Sequence, residues 1–126
     1  MNLLLSVDRA THLPSPTDDE IRSWVSQALA QTERLSDDIP ELSVRITDSD
    51  EAAHFNQTYR AQSGPTNVLS FAADLPPEAD CGLLGDLVIC APLVQKEAAQ
   101  QQKSEQAHWA HLVIHGVLHL LGHDHQ

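Results

Sequence analysis

Apolar residues recur along the chain in two rhythms, and the switches between them divide it into eight elements. Leu3 to Val7 is a short apolar run that reads as a strand. Thr17 and Glu20 stand at capping-box spacing, and Ile21, Trp24, Val25, Ala28 and Leu29 follow at steps of three and four. That period predicts a helix running to about Arg34. Leu42, Val44 and Ile46 alternate with polar neighbours, the signature of a strand buried on one face. A second helix is predicted from Asp48 or Ser49, where acidic residues suit the positive end of the helix dipole. It carries Phe55 and Tyr59 one turn apart and ends near Arg60, before Gln62-Ser63-Gly64-Pro65 breaks it.

Asn67 to Ala72 and Leu84 to Ala91 read as two further strands, separated by a loop at Pro76 to Asp80. Pro92 can open a helix at its first position, and that helix is expected to reach about Gln102. Ser104 caps a last helix extending to Leu121, which Gly122 stops. The order β-α-β-α-β-β-α-α predicts an α/β (α+β) fold with one small mixed sheet of about four strands and helices packed on it. At 126 residues, the expectation is a single domain over 1–126. Strand directions are not contained in this pattern.

Composition narrows the function. No run approaches the roughly 18 apolar residues a membrane span needs, and Met1 to Val7 lacks a basic leader and cleavage site. The expectation is a cytoplasmic protein without a membrane partner. Cys81 and Cys90 are its two cysteines; they form no framework, and Cys90, in an apolar run, is expected in the core. The formal charge of −11 argues against nonspecific nucleic-acid binding, because phosphate repels a negative surface. Six of the eight histidines fall between His108 and His125, which calls for a local cause.

That cause is metal chemistry. His115 and His119 are four apart on a predicted helix, so their Cβ atoms lie about 5–6 Å apart on one face. Two such imidazoles can close on one zinc ion. Gly122 can turn the chain sharply and return His125 to the same point as a third ligand. Three protein ligands leave a fourth position open, the pattern of a catalytic rather than a structural zinc. His108 and His111 fall on nearly the same stripe as His115 and read as supporting or solvent-facing residues, with ligation as the alternative. Asp124 can orient a ligand ring, act on the bound water or cap the turn. The spacing equals that of the metzincin proteases, but Gly116 stands where those enzymes carry their general-base glutamate, which argues against a standard protease.

Other candidates have ordinary readings. Arg60 reads as a helix-end arginine that offsets the dipole or pairs with an acid. Asp86 reads as a hydrogen-bond partner that stabilises the fold, and Thr66 and Asn67 as turn makers at a loop-to-strand junction. With 4% aromatic residues, no platform for stacking bases is visible.

Several blocks then resemble the YbeY family of bacterial endoribonucleases. His115 to His125 is similar to the family's H-G-x-L-H-L-x-G-x-D-H. Asn56-Gln57-Thr58-Tyr59-Arg60 and Pro65-Thr66-Asn67-Val68-Leu69-Ser70-Phe71 resemble its N-x-x-Y-R and P-T-[ND]-V-L-S-F blocks, and Gly85-Asp86-Leu87-Val88-Ile89 its G-D-[IL]-x-I strand. Family members usually continue past the third histidine into an acidic helical tail, whereas this chain stops at Gln126. The resemblance implies zinc, or another divalent transition metal, held by His115, His119 and His125. It implies cleavage of single-stranded RNA in the late 3′-end maturation of small-subunit (16S) rRNA and in ribosome quality control. It also implies a catalytic role for Arg60, and partners in the small subunit and its basic proteins. Two alternatives from other classes are a metzincin-like peptidase or amidase, and a non-catalytic assembly factor with a structural zinc.

Overall fold

The computed structural model describes residues 3–31, 39–60, 66–72 and 82–121. Eight elements follow in the expected order: β1 (Leu4–Ala10), α1 (Asp18–Ala30), β2 (Glu41–Thr47), α2 (Ser49–Arg60), β3 (Val68–Ala72), β4 (Leu83–Cys90), α3 (Ala91–Gln100) and α4 (Glu105–Leu120). They form one four-stranded mixed sheet in the order β1-β2-β4-β3. β1 and β4 both run parallel to β2, and β3 runs antiparallel to β4. Helix α1 supplies the crossover that a parallel β1–β2 pair requires.

Two boundaries differ from the sequence reading by more than two residues. β1 continues past Val7 to Ala10, because its ladder with β2 extends through Asp8↔Arg45, Arg9↔Ile46 and Ala10↔Thr47. Helix α1 closes at Ala30 rather than near Arg34, where the Gln31 N–H turns back to the Ala28 carbonyl at 3.1 Å. Residues 32–38, the Gln62–Pro65 break and the Pro76–Asp80 loop lie outside the described residues.

The helix starts follow from their caps. The Glu20 N–H donates to Thr17 Oγ1 at 3.1 Å while the Thr17 N–H donates to Glu20 Oε1 at 2.9 Å, the reciprocal pair of a capping box. Ser104 Oγ accepts from the Ala107 N–H at 3.0 Å and starts α4. Between α3 and α4 the Lys103 N–H reaches the Ala98 carbonyl at 3.0 Å and the Gln102 N–H reaches Ala99 at 3.3 Å. This is a Schellman motif, with Gln102 holding the left-handed position at φ 55° that glycine usually occupies.

Period-two alternation gives the sheet two different faces. Leu42, Val44 and Ile46 of β2 and Leu87 and Ile89 of β4 are buried in a core with Ile21, Val25 and Leu29 of α1 and Trp109, Val113 and Val117 of α4. Each such side chain contributes about 1.5–3 kcal/mol relative to exposure. Cys90 is fully buried, as expected. Gly85, at φ 138°, sits where the β2–β4 register shifts, a conformation that side chains resist. On the opposite face, Ser43 pairs with Ser6 on one side and with Asp86 on the other, and Asp86 pairs with Phe71. Helix α2 covers part of that face through Phe55 and Tyr59, both in ring contact with Phe71.

Candidate functional site

Helix α4 brings the histidines together. His115 and His119 stand one turn apart, both exposed, and both line a recess of about 300 Å³ with His111, Leu112, Asn67, Val68 and Ser70. The recess lies where the end of α4 crosses β3. Its floor depends on Gly116: a Cβ there would lie 2.9 Å from Leu87 Cδ2, 3.3 Å from Leu87 Cδ1 and 3.5 Å from Val68 Cγ2. The missing side chain lets α4 settle onto β3 and β4, and Ser70 Oγ donates to the Gly116 carbonyl at 3.3 Å. A glutamate at position 116 would therefore point into packed core rather than toward the recess. The absence of the metzincin base is thus built into the packing.

The histidine stripe divides by depth. His108, His111 and His115 form a ladder of near-parallel rings, with centroids 6.2 and 6.1 Å apart. His108 is only 3% exposed and belongs to the core side of the ladder. Its Nε2 lies 2.8 Å from Glu97 Oε1 on α3, and its Nδ1 is buried without a partner among the described residues. His111 is exposed on the recess wall; burial of its ring, and then the positive charges of Lys103, His115 and His108, push its pKa below the ordinary imidazole value.

Glu97 Oε1 also accepts from Asn67 Nδ2 at 3.0 Å. Burial pushes the Glu97 carboxyl up, but the hydrogen bonds from Asn67 and His108, with the charges of His108 and Lys103, outweigh it and hold the group below its ordinary value. Asn67 is further tied through its carbonyl, which accepts from the Cys90 N–H at 2.9 Å. So Asn67 does more than make a turn: it lines the recess. Glu97, 30 residues away, carried no local sequence signal.

The donor set fits a divalent transition metal. Two imidazoles one helical turn apart open onto a single recess, and imidazole nitrogen suits zinc. Among the described residues no three His, Cys, Asp or Glu side chains converge to hold an ion, so His111 does not complete a triad with His115 and His119. His125, the expected third ligand, lies outside the described residues, as does Asp124. Arg60 is the last residue of α2; its side chain is likewise outside them.

Two expectations need correction. Asp86 is exposed, and its side chain makes no hydrogen bond among the described residues, where the sequence leads one to expect a stabilising partner. It faces a cavity of about 570 Å³ on the sheet face away from α4, between the aromatic groups and the ion pairs of Arg45 with Asp8 and Glu51. The register puts it there, beside Ser43 and Phe71. An aromatic cluster does exist: Phe55 stacks on Tyr59 at 5.9 Å, Tyr59 meets Phe71 edge-on at 5.3 Å, and Tyr59 is 63% exposed. The chain has few aromatic residues, but packing of α2 gathers three of them.

Among the described residues no helix is long and apolar enough to cross a membrane. The family model described as Endoribonuclease YbeY matches residues 7–126. An Endoribonuclease YbeY from Pseudomonas putida (strain W619) is 54% identical over 124 residues, covering 98% of this chain and 76% of the relative. One from Pseudomonas fluorescens is 52% identical over 98% of this chain and 79% of the relative. A solution structure of a Thermotoga maritima protein is similar in fold, with a TM-score of 0.57 at 22% identity over 98% of this chain and 75% of the other. With a family model spanning nearly all of its length, the chain belongs to the YbeY endoribonuclease family.

Proposed function

We propose that this chain is a zinc-dependent endoribonuclease that cuts single-stranded RNA in the late 3′-end maturation of small-subunit rRNA and in ribosome quality control. The observation that carries this reading is the pair His115 and His119, one turn apart on α4 and open to one recess, in a chain of the endoribonuclease family. His115, His119 and His125 would hold the ion. When bound, it supplies Lewis-acid polarisation of a phosphoryl oxygen. The protein's own groups do the remainder. Arg60 brings a guanidinium to the charge that develops on phosphorus, a bidentate geometry suited to phosphate. Gly116 leaves position 116 without a carboxylate, which separates this site from peptide hydrolysis.

The charge of −11 makes the chain a poor general binder of RNA and a good partner for basic proteins of the small subunit, because opposite charge steers association. The substrate then reaches the recess through a docked ribonucleoprotein rather than by electrostatic capture of free RNA. On this reading the protein acts in the cytoplasm, where ribosomes are assembled.

The test is metal analysis of purified protein together with cleavage of a single-stranded RNA. Chelation and His115→Ala should each remove cleavage, and His115→Ala should also lower zinc content. Arg60→Ala should keep its zinc and lose at least about a hundredfold in rate, the scale of one lost transition-state contact. Normal cleavage by Arg60→Ala would remove that residue from the mechanism. Full activity in metal-free protein would end the zinc reading.

A further inference from the structure

We propose that Asn67 binds the RNA strand in the recess and that Glu97, held from behind by His108, is the positioning residue that aims it. The inference rests on the endoribonuclease reading above and extends it to a substrate contact outside the metal ligands.

Glu97 lies on α3, Asn67 just before β3 and His108 on α4, so three elements meet at one carboxylate. An ionised carboxylate only accepts hydrogen bonds. Asn67 must therefore present its amide nitrogen to Glu97, and His108 must present Nε2–H. This fixes both the amide flip and the tautomer, which are otherwise free choices. With the nitrogen committed, the Asn67 carbonyl oxygen is turned away from Glu97. Its backbone is fixed as well by the bond from Cys90. The result is a preorganised amide on the wall of the recess that holds His115 and His119.

The other polar groups of the recess have other tasks. Ser70 Oγ is committed to the Gly116 carbonyl, and His115 and His119 are the proposed ligands. His111 sits in the ring ladder between His108 and His115, which leaves Asn67 as the neutral group whose aim is fixed by hydrogen bonds. Its side-chain oxygen Oδ1 accepts no hydrogen bond among the described residues, so the matching group on the strand is a hydrogen-bond donor. A phosphodiester has none, whereas the ribose 2′-hydroxyl and the exocyclic amines of bases do. The Glu97–His108 contact has a cost, since it leaves His108 Nδ1 buried without a partner among the described residues. Such a group is retained more readily where the contact that strands it has a positioning task.

The experiment measures KM, kcat and zinc content for the zinc-loaded protein on a single-stranded RNA. Asn67→Ala should raise KM about tenfold, the worth of one hydrogen bond, with kcat within about twofold and zinc unchanged. Glu97→Met should move KM the same way, and the double variant should match Asn67→Ala alone, since Glu97 acts through Asn67. Glu97→Gln, whose amide oxygen still accepts from Asn67, should restore KM to within about threefold of wild type. In binding to a non-cleavable strand, a 2′-deoxy sugar at the cut site should add nothing to Asn67→Ala if the donor is the 2′-hydroxyl, and should add fully if it is a base amine.

A wild-type KM in Asn67→Ala, a further rise when Glu97→Met is added to it, or loss of zinc from Asn67→Ala would overturn the proposal. If Glu97→Met does not fold, Asn67→Ala and Glu97→Gln decide the matter by themselves. Wild-type protein that cuts no RNA overturns the functional reading and this inference with it. An active wild type with an unaffected Asn67→Ala overturns this inference alone.

Discussion

Replacing Gly116 with alanine tests how closely α4 sits on the sheet, and it has a sign that can come out either way. At a solvent-facing position inside a helix, Gly→Ala stabilises by about 0.5–1 kcal/mol, because the unfolded chain loses freedom. Here the new methyl lands 2.9 Å from Leu87 Cδ2 and 3.3 Å from Cδ1. Leu87 is fully buried and cannot swing into solvent, and overpacking of this kind costs about 1–3 kcal/mol. The second term wins by about 1 kcal/mol, which lowers Tm by about 3–5 °C for a chain of this size. Thermal and urea unfolding followed by circular dichroism measure the shift. In a Leu87→Val background the δ-methyls are gone, and the same substitution should become neutral or stabilising. A rise in Tm for Gly116→Ala in the otherwise unaltered protein would refute the close contact, and with it the packing account of why no carboxylate stands at this position.

Two further outcomes follow from the fold and the carboxylate network. Gln102→Gly should raise stability by up to about 1 kcal/mol, because a left-handed residue with a side chain carries a penalty that glycine lacks; a lower urea midpoint would argue against the Schellman geometry. Glu97 is held below its ordinary value of 4.5 in the folded protein. Its stabilisation is therefore fully present above that pH and is lost as pH falls through the depressed folded value. Between about pH 5.5 and pH 3 the urea midpoint should fall more steeply for wild type than for Glu97→Gln, and parallel curves would contradict the network.

What the sequence conveyed well was whatever depends on neighbours in the chain. The Thr17–Glu20 box, the three-four spacing of Ile21, Trp24 and Val25, and the pairing of His115 with His119 are all local geometry, and all were legible. The sequence pattern makes β1 too short because Asp8 and Arg9 are polar; they are tolerated in this edge strand because Asp8 pairs with Arg45 across the open face and Arg9, on the other face, ties to Asp18 at 2.8 Å. Asp86 was misread because its surroundings depend on a register shift at Gly85, which no pattern along one strand reveals. The aromatic cluster escaped notice for a related reason: composition counts residues, whereas Phe71 meets Phe55 and Tyr59 only after α2 folds over the sheet. His108 and His115 share a helical stripe, yet α3 covers the first and leaves the second open.

The recess combines parts with different histories during folding. The two imidazoles are spaced by a single turn of α4 and become available as soon as that helix forms, on a microsecond scale. The amide of Asn67 is aimed only when α3, α4 and the start of β3 have docked, bringing together partners 30 residues apart. Under the proposed ligands and strand contact, a refolding chain captures its ion before it can grip a strand, and the appearance of catalysis should lag behind metal uptake.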